Sequence, residues 1–411
     1  MTCNYILDDI GTFPEIKRIM FIQFGNFKEA SARFNAGKEE TYYAQEYSVR
    51  WVEALCQHTE AVHVLCLNTP DYEECTLSSG VIVSGMEYWI NPKKNLPLLY
   101  KRLEKFHPSH LIISTPLIPA LEWGLKNDIR MLPIFADSFH CVHNGLLGYI
   151  KQKISNWRLA SILNNNHIDF VANHNIPACN SLKCIGVNPQ KIVPWDWPGF
   201  TNLDQYIPKK GLLKKSCSIF FVGSVIASKG VSDAIKALQL LQTKQITATL
   251  SIAGGGDVNE MKNIALSKRV EDCVFFLGKI ANFQVIPLMR EHDIVIVPSW
   301  HSYPEGLPLT IYEAFISRTP LVISDHPMFT LLLENGRDTI FHKAGDIKDL
   351  ADKIESLILD TQLYENLSVN SVSSYQRILC KTKWADLITN WIKNSTESLR
   401  WIRDRSFDKC K

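Results

Sequence analysis

The sequence predicts an α/β protein built from two doubly wound parallel-sheet domains. Short apolar, β-branched runs alternate with longer amphipathic segments along the chain. The runs are apolar on both faces, as strands are when helices cover both sides of a parallel sheet. They fall into two series of about six, separated by a stretch rich in Pro, Gly and Lys. A chain of 411 residues has room for two such domains. With 46% hydrophobic and 21% charged residues it has ample material for cores, which excludes a disordered chain.

In chain order, the first series of expected strands covers 19–24, 62–67, 111–114, 132–136, 170–172 and 192–194. The second covers 219–222, 247–252, 274–277, 294–297, 321–324 and 339–341. Helical spacing appears between them, as at 42–56, 231–241, 258–266 and 309–316. The domain expectation is therefore 1–200, a linker at 201–216 marked by Pro208, Lys209-Lys210-Gly211 and Lys214-Lys215, and a second domain at 217–380. A helical tail at 381–411 can pack back on the first domain. The aromatic cluster Trp195-Asp196-Trp197-Pro198 reads as packing at the crossover rather than as a platform for sugar.

Charge narrows the partners. Lys+Arg is 44 against Asp+Glu 42, a net +2, so no overall field grips a polyanion and nucleic acid is not expected. The 11 cysteines are odd in number and irregularly spaced, without Cys-x-x-Cys. That pattern fits reduced thiols and neither disulfides nor zinc. The N-terminus lacks a basic region followed by an apolar one, so no secretory signal is expected. No apolar run approaches the length of a bilayer span. The expected location is cytoplasmic, with the inner membrane face as a peripheral option. That option rests on 88–106, where Tyr88, Trp89 and Ile90 precede Lys93, Lys94, Lys101, Arg102 and Lys105, with Glu104 opposing. The stretch reads either as a solvated helix face or as a contact for anionic headgroups.

Three stretches carry chemistry. Gly223-Ser224 follows a strand, and Ser228-Lys229-Gly230 leads into a helix near Val231. Free backbone amides at a helix start, plus the Lys229 charge, suit a diphosphate; a plain surface turn is the alternative. A P-loop fails, because it needs Gly before the lysine and Ser or Thr after it. The second stretch, Gly254-Gly255-Gly256, is a weak dinucleotide signal, since a third glycine would fall on Asn259. The third is Pro298-Ser299 followed by Glu305-Gly306-Leu307-Pro308-Leu309 and Glu313-Ala314. A helix starting near Pro308 offers the amides of Gly306, Leu307 and Leu309 to an anion. Glu305 and Glu313 are eight residues apart, slightly over two turns, so the carboxylates are expected close to one face. His140-Cys141-Val142-His143 could converge two metal ligands, but no second pair is identifiable and no metal is expected.

Together with Phe276-Leu277-Gly278 and Pro320-Leu321-Val322-Ile323-Ser324, these stretches resemble the retaining, metal-independent GT-B glycosyltransferases of family 4 over about 219–325, in order and spacing. The first 200 residues resemble that family in organisation only. The resemblance implies two Rossmann-like domains facing a central cleft. It also implies transfer of a sugar from a UDP- or GDP-sugar to an acceptor hydroxyl, in polysaccharide, glycolipid or glycoconjugate synthesis, with no cofactor beyond the nucleotide sugar. Lys229 would neutralise the diphosphate, Glu313 would bind the ribose, and Glu305 with its following amides would hold the sugar and β-phosphate. Lys279 and Ile280 would border the base, Gly254 belongs to the same donor site, and Gly25 would close over the diphosphate. Where the family has Arg after Gly223, this chain has Ser224, so Arg318, Arg337 or a first-domain residue would have to supply the second cation. Asp137 stands close to the family's histidine position, with His140 three residues on; either could contact the donor sugar or accept a proton. Two alternatives stay open: a GT-B sugar-nucleotide epimerase, and a non-catalytic nucleotide-sugar-binding partner of a transferase.

Overall fold

The computed structural model describes residues 17–139, 145–212 and 216–410. These form two compact units, Met1–Pro198 together with Cys380–Lys411, and Gly199–Leu379.

The first unit begins with β1 (Arg18–Gln23), α1 (Phe27–Asn35), α2 (Gln45–Leu55) and β2 (Ala61–Cys66). It continues through β3 (Asn68–Thr76), β4 (Ile82–Glu87), α3 (Pro92–Phe106), β5 (His110–Ile113), α4 (Ile118–Lys126) and β6 (Arg130–Phe135). Then follow α5 (Leu146–Leu163), β7 (Val171–His174), α6 (Asn175–Cys184) and β8 (Ile192–Trp195). The sheet order is β3-β4-β2-β1-β5-β6-β7-β8. Only β3 runs antiparallel, against β4. Alternation along β1 assigns the two faces: Ile19 and Phe21 enter one core with α1 and α2, while Met20 and Ile22 enter the other with α3, α4 and α5.

Two strands, β3 and β4, went unread in the sequence. β3 is an edge strand with Pro70 and four acidic or polar exposed positions, so it shows no apolar run. Most of the other first-unit strands lie within one residue of expectation.

The second unit holds β9 (Ser216–Val222), α7 (Val231–Thr243), β10 (Thr247–Ala253), α8 (Val258–Ser267), β11 (Val274–Gly278), α9 (Asn282–Glu291) and β12 (Ile294–Val297). It closes with α10 (Leu309–Ile316), β13 (Leu321–Ser324), α11 (Pro327–Thr330), β14 (Ile340–His342), α12 (Ile347–Leu359) and α13 (Thr361–Ile378). Its sheet, β11-β10-β9-β12-β13-β14, is parallel throughout. The order reverses direction from β9 to β12. In such sheets ligands bind beyond the carboxyl ends of the strands, near the reversal.

The stretch 201–216 packs on the second unit where it is described. The Lys209 amide donates to Ser368 Oγ at 2.7 Å and the Gly211 amide to Glu365 Oε1 at 3.1 Å. After α13 the chain returns to the first unit as α14 (Trp384–Lys393) and α15 (Thr396–Arg403). Trp384, Leu387, Ile388, Trp391 and Ile392 are buried in the core that contains α1 and α2. Asp196 anchors the return, with its amide donating to Thr382 O at 2.9 Å and its carbonyl accepting from the Trp384 amide at 3.0 Å. Trp195 and Trp197 stack edge-on at 5.0 Å, and Trp197 meets Trp384 at 5.7 Å, so the aromatic cluster is packing.

Candidate functional site

At the carboxyl ends of β9, β10 and β11 three turns lie side by side. Gly254 adopts φ +143°, and a Cβ there would lie 1.8 Å from Gly223 O. Only glycine permits this approach. The Gly254 amide donates to Gly278 O at 2.8 Å, and the Val225 amide donates to Gly255 O at 2.9 Å. Gly223, Ser224, Gly254 and the β11 end are thereby held in one platform. Lys279 projects over it, its Cε about 3.1 Å from a Cβ built on Gly255, and is exposed. Ile280 follows, half-buried.

The Ala227–Lys229 turn is fixed against β12. Gly230 has φ +74°, and a Cβ there would meet Pro298 O at 2.1 Å. The Trp300 amide donates to Ser228 O at 2.9 Å. The structure thus brings Lys229 to Glu305, 76 residues on, in a direct ion pair between largely buried side chains. Ser299 Oγ donates to the same Glu305 oxygen at 2.6 Å. The Tyr303 ring lies 4.3 Å from the Lys229 ammonium. Burial, then the Glu305 charge, raises the Tyr303 phenol above its ordinary pKa. Sequence reading singled out Ser299 without giving it a role and missed Tyr303 and Asn282; short-range spacing carries no signal for such contacts.

Helix α10 starts at Leu309, with Pro308 as its cap and the Ile311 amide donating to Pro308 O at 3.0 Å. The amides of Gly306, Leu307 and Leu309 precede the first helical bond and have no intrahelical acceptor. Glu305 therefore sits in the loop and Glu313 on the helix. Contrary to expectation, the two carboxylates do not share a helical face, because 305–308 is not helical. Both carboxylates are nonetheless buried, and Asn282 Nδ2 donates to Glu313 Oε1 at 2.8 Å.

Of the sources offered for a second cation, the two arginines do not reach the platform. Arg318 follows α10 and leads into β13, donating to Val369 O at 3.2 Å. Arg337 leads into β14 and pairs with Glu334 at 3.0 Å. Both lie at the amino ends of their strands, opposite the platform.

In the first unit Gly25 follows β1 and lines a cavity of about 210 Å³ with Asn26, Glu29, Arg33, Gln45 and Trp384 among its walls. Asp137 follows β6; its amide donates to Asn173 Oδ1 at 3.2 Å. Burial pushes the Asp137 carboxyl up from 3.8 to about 6. His140 and the His140–His143 pair lie outside the described residues. Among the described residues no group of three or more His, Cys, Asp or Glu is arranged to hold a metal. In 88–106 two cations are committed elsewhere: Arg102 is buried on Asp71, Tyr72 O and Gly85 O, and Lys105 pairs with Glu74 at 2.7 Å.

Residues 204–373 match the family described as glycosyl transferases group 1. The match covers less than half of the chain. It contains the platform, the Lys229–Glu305 pair and α10. A Campylobacter jejuni N,N'-diacetylbacillosaminyl-diphospho-undecaprenol alpha-1,3-N-acetylgalactosaminyltransferase is 26% identical over 222 residues, 52% of this chain and 54% of the relative. Mycobacterium tuberculosis glycogen synthase is 28% identical over 172 residues, 42% of this chain and 40% of the relative. The chain thus spans about half the length of the curated relatives it matches, or less. Among solved structures, Anabaena HepE in complex with UDP and glucose aligns at a TM-score of 0.61 and 16% identity, covering 89% of this chain and 96% of HepE. Sucrose-phosphate synthase from Thermosynechococcus elongatus aligns at 0.63 and 14% identity, covering 94% and 98%. The fold is that of the GT-B glycosyltransferases, two parallel-sheet α/β domains.

Proposed function

We propose that the protein is a glycosyltransferase that moves a sugar from a UDP- or GDP-sugar to an acceptor hydroxyl with retention of configuration and without a metal. The observation that carries the reading is the convergence of Lys229, Glu305 and the open amides of 306–309 beside a glycine platform, inside the segment that matches glycosyl transferases group 1. In this reading Lys229 leaves Glu305 for the donor diphosphate, and the amides meet the β-phosphate. Glu305 is then available to the sugar hydroxyls and Glu313 to the ribose. Lys279, exposed above Gly255, supplies the second cation that Ser224 lacks. In the first unit the cavity beside Gly25, with one indole wall and several polar side chains, suits a sugar ring of the acceptor. Asp137, at about 6, is poised to accept the hydroxyl proton.

The test is thermal unfolding with UDP, GDP and ADP in EDTA, on wild type and Lys229→Ala. Ligand at 100 times its Kd stabilises by about 2.7 kcal/mol, roughly 5–10 °C at this size. A rise with one nucleotide, lost in the variant, supports the donor site; no rise with any nucleotide defeats it. Ser224 favours a second reading, a nucleotide-sugar-binding partner without catalysis. A nucleotide-dependent rise, with no donor hydrolysis or transfer even in Ser224→Arg, would select it.

A further inference from the structure

The first unit carries an apolar surface that the donor site does not use. Helix α5 is buried only toward its C-terminal end, where Leu159, Ala160 and Leu163 join the core with α3 and α4. Its first three turns stand in solvent: Leu146, Leu147, Ile154 and Trp157 are 74%, 76%, 61% and 71% exposed, with Ile150 also exposed. At 100° per residue these five fall within an arc of about 100°. Lys151 and Lys153 flank that arc on its two sides, and α5 contains no acidic residue. A second exposure occurs where β4 passes into α3. Trp89 and Ile90 are exposed there, with Lys93 and Lys94 beside them. Because α3 packs on α4 and α4 on α5, all on one face of the sheet, the amino ends of α3 and α5 emerge along the same edge.

We propose that this edge docks the first unit on an anionic lipid bilayer. A soluble surface of this size does not leave five large apolar side chains in one arc without a partner. The choice of partner rests on charge. Lys151 and Lys153 flank the α5 arc, and Lys93 and Lys94 stand beside Trp89 and Ile90. Of the acids nearby, Glu122 is held by Arg158 at 2.5 Å, leaving Glu87 at the end of β4, Asp137 after β6 and Glu104 near the far end of α3. Aliphatic and indole side chains bordered by lysines match an interface of acyl chains beneath negative headgroups. Among the described residues no helix is long and apolar enough to cross a membrane, so the contact is peripheral. The sequence offered 88–106 as either a solvated helix face or a membrane contact; the proposed surface centres on α5 and includes only the start of that stretch.

The inference does not depend on transferase activity, and its test reads binding alone. The full chain is sedimented with phosphatidylcholine vesicles and with vesicles containing roughly 30% phosphatidylglycerol, at low and high salt. Wild type is expected to pellet with the anionic vesicles, less so at high salt. Each lysine near such a surface contributes about fivefold, so Lys151→Glu with Lys153→Glu should lower partitioning at least tenfold. Leu147→Asn with Ile150→Asn should do the same while circular dichroism and the unfolding temperature stay unchanged, since both residues are exposed. Brominated lipid should quench wild type more than Trp157→Phe. Failure of wild type to bind anionic vesicles, or equal binding by the variants, overturns the proposal. So does a wild-type dimer in light scattering that the Leu147→Asn, Ile150→Asn variant dissociates, which would make the face a self-association surface.

Discussion

Lys229 and Glu305 lock each other in place before any ligand arrives, with Ser299 and Tyr303 completing the enclosure. Removing one partner of a largely buried pair leaves the other charge uncompensated, at a cost of about 3–5 kcal/mol. Lys229→Ala should therefore lower the unfolding temperature by several degrees in the absence of nucleotide. Lys229→Ala with Glu305→Gln should recover most of that loss and none of the nucleotide response. Differential scanning fluorimetry of the four species reads both outcomes, and a double mutant no more stable than the single would argue against the pair. Asp137 obeys a different sign. Its carboxyl is raised from 3.8 to about 6, so burial favours the protonated form. Its contribution is fully present below pH 3.8 and is lost as pH rises through 6. Asp137→Asn should thus be more stable than wild type at pH 8, by at most about 3 kcal/mol, with little difference at pH 4. If the carboxylate accepts the acceptor's proton, activity of wild type falls on the acid side with a midpoint near 6, and the substitution removes most of the rate at every pH. Chemical denaturation at the two pH values and a pH–rate profile test the two halves separately.

At the scale of elements, the donor platform depends on how closely three strand ends approach. Gly254 is the point of contact, with a positive φ and 1.8 Å between a built Cβ and Gly223 O. Gly254→Ala should part β9 from β10 at their carboxyl ends, costing about 3 kcal/mol or more and abolishing any nucleotide-dependent stabilisation. Gly255→Ala, where the nearest atoms belong to the flexible Lys279 side chain, should be tolerated in stability. Equal behaviour of the two in urea unfolding would show that the turn relaxes more than its geometry suggests. Helix α10 shows how much of an element can be read locally. The apolar spacing at 309–316 gave both its ends, because proline marks its start and Leu309, Ile311, Ala314 and Phe315 supply the period. Strand β3 shows the converse. An edge strand with one solvated face and a proline carries little periodic signal, so only its hydrogen bonds to β4 reveal it.

At the scale of the molecule, the return of the chain to its first unit is the feature with the largest structural consequence. Six apolar residues of α14 are buried with α1 and α2, and Lys17 Nζ donates to Ile392 O at 2.8 Å. Trp391 is fully buried. Trp391→Ala should cost about 3–5 kcal/mol, and removal of 380–411 should abolish cooperative unfolding of the first unit while leaving the second unit's core residues intact. Limited proteolysis of the truncated chain, followed by mass spectrometry, should find cleavage concentrated before Pro198; protection of that region would show the tail to be dispensable.

The sequence by itself determined the alternation of strands and helices, the two series of parallel strands, and the motif residues at the carboxyl ends of the second series. Those are local properties: the period of apolar side chains and the turn chemistry of Gly and Pro act over a few residues, so they survive in a one-dimensional reading. Only the tertiary structure decided that Lys229 meets Glu305, that Arg318 and Arg337 sit at the amino ends of their strands, that Arg102 is buried on β3 and β4, and that the apolar start of α5 is exposed. Each depends on strand order and on which helix covers which face. Those choices are set by burial of apolar area summed over the whole chain, and no short window of sequence contains that sum.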